Sequence, residues 1–179
     1  FTNSADLWDN YDTDYRPLVE MAKRHGMQFV ATNIPRRYAN FVAYNGLEAL
    51  DTFSQSASAN MAPRPIPMNM DLPGYQRIQQ MGAHGQAEHL AKAQAVKDAT
   101  MAHTINEYWE PGYAFLHLNG SFHSNNFEGI YWYLEQYNED IETMTIATVQ
   151  QQDPTALKAD HEGKADFIIC TPKDMTKTY

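Results

Sequence analysis

Four short apolar runs alternate with stretches of helical pattern, and this alternation limits the possible folds more than any other feature of the chain. The runs are rich in β-branched and aromatic residues, which is typical of buried strands. They are "MQFVAT" at 27–32, "YAFLHL" at 113–118, "ETMTIATV" at 142–149 and "ADFIICT" at 165–171. Strands that alternate with helices predict an α/β fold, with a mostly parallel sheet flanked by helices.

The segments between the runs predict helices and one long irregular stretch. The helical patterns cover 5–26, 34–53 with a break at Asn45–Gly46, 75–81, 86–109 and 127–137. Residues 54–73 are rich in Ser, Ala, Met and Pro, which predicts an irregular or extended segment. A segment of that length inside a compact domain is often used for binding. We predict one α/β domain over 1–179, with a helical and irregular insertion at about 54–109.

Four strands make a thin sheet for a chain of 179 residues that opens on a helix. The first residue is Phe1 and not methionine. We therefore expect one or more strands of the sheet to precede Phe1. A signal peptide or lipid anchor would lie upstream as well.

Composition and motif content argue against several classes of function. The formal net charge is −9 and lysine and arginine are not clustered, so nucleic acid is not expected as a partner. No run approaches the roughly 18 consecutive apolar residues of a membrane span. The single cysteine, Cys170, excludes an internal disulfide framework and a cysteine-rich metal site. HExxH, CxxC, GxSxG, P-loop and GxGxxG motifs are all absent.

In open parallel sheets, ligands bind beyond the carboxyl ends of the strands, and the first such position here is polar. Asn33, Arg36 and Arg37 directly follow the first apolar run. Positive side chains in the first turn of a helix oppose the helix dipole. An anionic ligand or a buried carboxylate would account for the two arginines, and so would pairing with acids at the surface. The sequence leaves both interpretations open.

The second strand end is the stretch "NGSFHSNN", which follows the run at 113–118. We expect Gly120 to allow a turn that other residues resist, with His123 just beyond it. A neutral imidazole binds metals and transfers protons near pH 7, although a lone histidine is often structural. We interpret His117, which lies within the run, as a residue of strand packing.

The long helical pattern carries a face that is apolar at its ends and polar in its middle. Its members are spaced by three or four residues and are Leu90, Gln94, Asp98, Met101 and Ile105. If this face is buried, Gln94 and Asp98 line a polar pocket and need partners, for which Arg36 or Arg37 is expected. The alternative is that the alanine-rich face of the helix is buried and the polar pair touches water. We prefer the polar pocket.

Two further features bear on metals and cofactors. The group His84, Glu88 and His89 resembles a metal cluster, and we interpret it as surface. The chain also has 11 tyrosines and nine methionines, residue types that suit a flat apolar cofactor such as haem and that can bind its iron.

Several stretches together resemble the ChaN-like family of haem-binding, iron-regulated bacterial lipoproteins. They are "ATNIPRRYANFVAYNGLEAL", "AQAVKDATMAHTI", "FLHLNGSFHSNNFEGIYWYLEQY" and "MTIATV", and they lie in order within 15–171. The wider superfamily contains the Tiki metalloproteases, the TraB proteins and the erythromycin esterases. It shares a GExH motif after the first strand and a GxxH motif later. Gly120-Ser121-Phe122-His123 matches GxxH, and GExH is expected upstream of Phe1.

This resemblance implies an erythromycin-esterase-like α/β fold with a small helical subdomain, of which the chain is the C-terminal part. It implies haem as ligand, with tyrosine or histidine on the iron, and a homodimer in the bacterial cell envelope, either as an outer-membrane lipoprotein or in the periplasm. A companion N-terminal fragment that carries GExH is a further expected partner. The expected role is haem and iron acquisition.

The alternative function is metal-dependent hydrolysis. In it, His123 binds a divalent metal or acts as a base, and Arg36 or Arg37 holds an anionic intermediate. For either function, the candidate site residues are Asn33, Arg36, Arg37, Gln94, Asp98, Met101, Gly120 and His123.

Overall fold

The computed structural model describes residues 7–82 and 86–178. In this part the chain forms α-helices and β-strands that we number in chain order. The helices are α1 (Arg16–Arg24), α2 (Arg36–Asn45), α3 (Gln55–Ser58), α4 (Pro73–Met81), α5 (Ala87–Tyr108) and α6 (Ile130–Tyr137). The strands are β1 (Ile146–Gln151) and β2 (Phe167–Pro172). Single turns of 3₁₀ helix at Ser121–His123 and Asn125–Phe127 precede α6.

The two strands confirm the mixed α/β class and its parallel pairing. β1 and β2 run parallel, from the pair Ile146 and Phe167 to the pair Gln151 and Pro172. In β1, buried and exposed residues alternate, because successive side chains of a strand point to opposite faces. The sheet of the described residues has these two strands only.

The prediction that 27–32 and 113–118 are β-strands is wrong. Both segments lie outside regular secondary structure, and among the described residues no backbone hydrogen bond joins one to the other. Their link is between side chains, where the Thr32 hydroxyl lies 2.8 Å from Nε2 of His117. A strand needs backbone partners along its edge, and apolar, β-branched composition alone does not supply them.

The helix predictions are closer to the structure. The long helix predicted at 86–109 is confirmed as α5, within one residue at each end. The break predicted at Asn45–Gly46 is confirmed, since α2 ends there and Gly46 has φ +84°. The helix predicted at 5–26 is shorter, with α1 at Arg16–Arg24, and its first two predicted residues lie outside the described residues. Residues 54–73 are irregular apart from the single turn of α3 and the start of α4.

The core surrounds α5, which packs against α2, α4 and α6. Its alanines allow these helices to approach closely, and Ala91, Ala95, Ala99 and Ala102 are fully buried. Gln94, Asp98, Met101 and Ile105 are buried as well, whereas Leu90 is exposed. The two burial alternatives for this helix are therefore both realised, because the middle of α5 is covered on nearly all sides. None of the described helices combines the length and the apolar character needed to cross a bilayer.

Candidate functional site

Three side chains from different parts of the chain form a hydrogen-bonded series in the core. Asp98, in the middle of α5, has no exposed surface. Its Oδ1 lies 2.5 Å from Nδ1 of His123, and its Oδ2 accepts a hydrogen bond of 2.8 Å from the Tyr75 hydroxyl. The series therefore runs from α4 through α5 to the GxxH turn and ends at an imidazole whose side chain is 18% exposed.

The protonation pattern of the series follows from its geometry. Burial raises the pKa of Asp98, and the hydrogen bonds from His123 and Tyr75 oppose that rise. Burial also strongly raises the pKa of Tyr75, so its hydroxyl keeps its proton and donates. The 2.5 Å separation of Asp98 Oδ1 and His123 Nδ1 requires a proton between these two atoms. With that proton in place, Nε2 is the ring atom left with a lone pair for a ligand.

Gln94 lies one turn before Asp98 and closes a second side of the imidazole. Its amide nitrogen is 2.8 Å from Nδ1 and 3.4 Å from Nε2 of His123, and because Nδ1 holds the proton shared with Asp98, the amide N–H can donate only to Nε2. Spacing by four residues places both polar side chains of α5 on the side that faces His123. The predicted polar pocket therefore exists, and its occupant is the histidine of GxxH.

The backbone around His123 differs from what the glycine of the motif suggested. Gly120 has φ −72°, a conformation open to any residue, so the expectation of a glycine-only turn there is wrong. The turn is held instead by Asn119, whose amide donates to the carbonyl of Gly120 and to the Ser124 hydroxyl. The left-handed conformations come later, at Asn126, Phe127 and Gly129.

At Gly129 the chain lies close both to the turn that carries His123 and to α5. It has φ +58°, and a Cβ added there would collide with the backbone carbonyl of His123 and lie 3.2 Å from Asp98 Oδ2. The preceding Glu128 reaches across to α4, where its carboxylate accepts a 2.6 Å hydrogen bond from the Gly74 N–H. Because Gly74 precedes Tyr75, this bond fixes the end of α4 that presents the Tyr75 hydroxyl to Asp98.

The two predicted strand ends lie side by side. The His117 ring joins them, since Nδ1 is 3.1 Å from Asn119 Oδ1 and Nε2 is 2.8 Å from the Thr32 hydroxyl. The Asn119 amide nitrogen donates elsewhere, so its oxygen accepts from Nδ1–H and Nε2 accepts from Thr32. This is a neutral, fully bonded histidine, as expected for a packing residue.

His117 makes stability sensitive to acid. Burial lowers the pKa of His117 below its ordinary value of 6.5, so below about pH 6.5 the unfolded chain takes up a proton that the folded protein does not. We expect the free energy of unfolding to fall between pH 7 and pH 5, by at most about 1.4 kcal/mol per pH unit from this group. Urea unfolding at both pH values should show a smaller loss for His117→Gln than for the wild type. Equal losses would contradict the assignment.

The other candidate residues have different surroundings. Asn33, Arg36 and Arg37 are exposed, and Arg37 stacks over its neighbour Tyr38 at 4.7 Å from the ring centre. The expectation that an arginine pairs with Asp98 is wrong. Both arginines lie on the solvent side of the first turn of α2, and His123 and Tyr75 already use the two oxygens of Asp98. Met101 is buried in the core one turn beyond Asp98.

No group of three His, Cys, Asp or Glu side chains that would hold a metal ion occurs in 7–82 and 86–178. In the group interpreted as surface, His84 lies outside the described residues and Glu88 pairs with Lys92 at 2.8 Å. His89 has a buried Nδ1 without a hydrogen-bond partner among the described residues.

Three residues of the site were missed by the sequence analysis: Tyr75, Glu128 and Gly129. Tyr75 stood at the start of a short predicted helix with no periodic signal that linked it to α5. In sequence, Glu128 and Gly129 fit the opening of a helix, although a glycine inside a helical pattern weakens that interpretation.

One family model matches the chain. It is described as "Haem-binding uptake, Tiki superfamily, ChaN" and matches residues 1–134, a region that includes Asp98 and the GxxH turn. Searches of the curated proteins and of the solved structures found no match. The description names haem binding and uptake, so the hydrolase alternative is not favoured. The chain belongs to the ChaN family of the Tiki superfamily.

Proposed function

We propose that the protein binds haem through Nε2 of His123 and serves haem and iron uptake at the bacterial cell envelope. The observation that carries the proposal is the His123–Asp98 pair. A histidine that binds iron or another metal commonly donates its second N–H to a carboxylate, which fixes the ring and increases its basicity. Here that donor bond is 2.5 Å long, and its carboxylate is fully buried.

The residues around His123 suit haem in their chemistry. An imidazole nitrogen is a common axial ligand of haem iron. The segment that carries His123 also exposes large apolar side chains, with Leu116 at 80%, Leu118 at 57% and Phe122 at 54% exposure. Uncovered apolar residues of this size suit the flat face of a porphyrin. Arg36 and Arg37 are exposed just after the segment 27–32, and they offer positive charge to the haem propionates.

Haem is the cargo in this proposal, and a titration tests it. Adding haemin to the purified protein should give a saturable shift of the Soret band. His123→Ala should weaken binding at least about tenfold, in line with the loss of an iron ligand or of its carboxylate support. His25→Ala, a change of an exposed histidine at the end of α1, should leave the titration unchanged. Absence of a saturable shift in the wild type would end the proposal.

Equal binding by the wild type and His123→Ala would assign the iron to another ligand, for which the tyrosines are the first candidates. Absorption in the visible region separates the two cases, because phenolate and imidazole ligands give ferric haem different charge-transfer bands. That result would keep haem binding and remove His123 from it.

We further propose that haem-bound chains form a homodimer and that a segment with a GExH motif completes the site. The support is the exposure of Leu116, Leu118 and Phe122, part of which a second chain or a further strand would cover beside the haem. Light scattering with and without haemin tests the first proposal, and an unchanged mass would count against it. Adding a GExH segment as a separate polypeptide tests the second, and an unaltered Soret titration would exclude it.

Fractionation of cells tests the proposed location at the cell envelope. Recovery of the protein in the cytosol alone would overturn that location.

A further inference from the structure

We infer that Asp98 makes the site selective for ferric over ferrous haem. This inference rests on the proposed function, because it takes His123 as the iron ligand. It specifies which oxidation state of haem iron the site prefers, and it attributes that preference to a residue that does not touch the haem. Asp98 is thus a specificity-determining residue that acts through His123, and Tyr75 is the residue that positions Asp98.

The surroundings of Asp98 direct its carboxylate to the imidazole. Asp98 has no exposed surface, and its two oxygens meet His123 Nδ1 and the Tyr75 hydroxyl. In 7–82 and 86–178, its only salt-bridge contact is with His123, and no lysine or arginine lies close enough to form one. A buried charge is poorly screened, because the protein interior polarises far less than water. Its field therefore acts most directly on the ring it contacts.

A carboxylate in this position changes how strongly the imidazole donates electrons. As Asp98 draws the proton on Nδ1 towards itself, negative charge shifts onto the ring and Nε2 becomes a stronger donor. Hydrogen bonding to the axial ligand and burial of the site are two of the means by which proteins set the potential of haem iron. A stronger, more negative donor stabilises the iron with the higher charge. Ferric haem is favoured as a result.

Tyr75 gives this arrangement a fixed geometry. Its hydroxyl donates to Oδ2, so the carboxylate cannot rotate without losing a hydrogen bond in the core. Tyr75 is itself buried on α4, whose first turn is tied to Glu128 in the loop after His123. The position of Asp98 relative to the ring is thus set by two helices and the turn together.

The test compares the reduction midpoint potentials of the haem complexes of wild type, Asp98→Asn and Asp51→Asn. Asp98→Asn keeps the size of the side chain and removes its charge. Its ratio of ferric to ferrous affinity should fall at least tenfold, which raises the one-electron midpoint by about 59 mV or more. Asp51→Asn removes the same formal charge from an exposed carboxylate that pairs with Arg64. The midpoint potential of its haem complex should stay at the wild-type value. An unchanged midpoint in Asp98→Asn overturns the inference while haem binding by His123 stands.

A second measurement uses the protein without haem and does not depend on any variant. Nitrogen-15 NMR at neutral pH should place the ring proton of His123 on Nδ1, with the strong deshielding of a short hydrogen bond. A proton found on Nε2 overturns the inference even where Asp98→Asn fails to fold. Failure of the wild type to bind haemin, or equal binding by His123→Ala, would instead remove the proposed function on which the inference rests.

Discussion

Replacing Gly129 by alanine is expected to lower the free energy of unfolding by about 2–6 kcal/mol. Two effects add. Alanine at φ +58° adopts a backbone conformation that costs of the order of 1–3 kcal/mol. The new methyl group also collides with the carbonyl of His123, and overpacking of this kind adds about 1–3 kcal/mol. Domains of this kind have about 5–15 kcal/mol in all, so the loss is a large share.

The matched control for this change is Gly112→Ala. Gly112 has φ +89°, and a Cβ added there would meet nothing within 4 Å, so the variant has the backbone strain without the collision. Denaturant unfolding of both variants separates the two effects, and Gly129→Ala should be the less stable by about 1–3 kcal/mol. The added methyl also lies beside Asp98 Oδ2, so haemin binding should weaken in Gly129→Ala and persist in Gly112→Ala. Equal stability of the two variants would show that the turn can move away from α5.

The local part of the site could be predicted from sequence. Gln94 and Asp98 lie one turn apart on a long helix, and this spacing placed them on one face, although the sequence left open which face is buried. The GxxH motif identified His123. Few other candidate sites remained, because the sequence has no clustered basic residues and no common metal-binding motif. These predictions depend on helical periodicity and on short motifs, which are properties of neighbouring residues.

The contacts between distant segments could not be predicted in the same way. An arginine was expected opposite Asp98 because a buried carboxylate needs a donor, but the sequence did not say that His123 and Tyr75 would both supply one. Tyr75 is 23 residues from Asp98, and its side chain resembles the other tyrosines of the chain until the fold brings it to α5. Gly120 and Gly129 look alike in sequence, and only the backbone angles separate a permissible glycine from a required one.

Two of the four strand predictions failed for a related reason. Runs 27–32 and 142–149 have similar composition, yet only the second overlaps a strand of the described residues. Pairing depends on what lies beside a segment, and β-branched composition does not encode the neighbour. The Thr32–His117 contact shows that the first run and the run at 113–118 do lie near each other, although side chains make that connection.

Removing the Tyr75 hydroxyl should destabilise the protein more than removing a buried tyrosine hydroxyl that has no hydrogen-bond partner. In Tyr75→Phe, Asp98 Oδ2 loses its donor while it stays fully buried, and a hydrogen bond to a charged group contributes about 1.5–3 kcal/mol. The matched control is Tyr137→Phe. The Tyr137 hydroxyl is buried and has no hydrogen-bond partner among the described residues, so its removal should be neutral or stabilising.

The contact between Asp98 and Tyr75 also predicts that changes at these two residues will not have additive effects on the free energy of unfolding. Asp98→Ala leaves the Tyr75 hydroxyl and His123 Nδ1 buried without their acceptor, and breaking a buried charged pair in this way costs about 3–5 kcal/mol. Once Asp98 is gone, the Tyr75 hydroxyl has nothing to bind, so the second change should cost little. The double variant should therefore be more stable than the sum of the single losses predicts, by about 0.5–3 kcal/mol. Denaturant unfolding of the four proteins measures this difference. Additive losses would mean that Tyr75 does not position Asp98, and His123 would then depend on its contact with Asp98 alone.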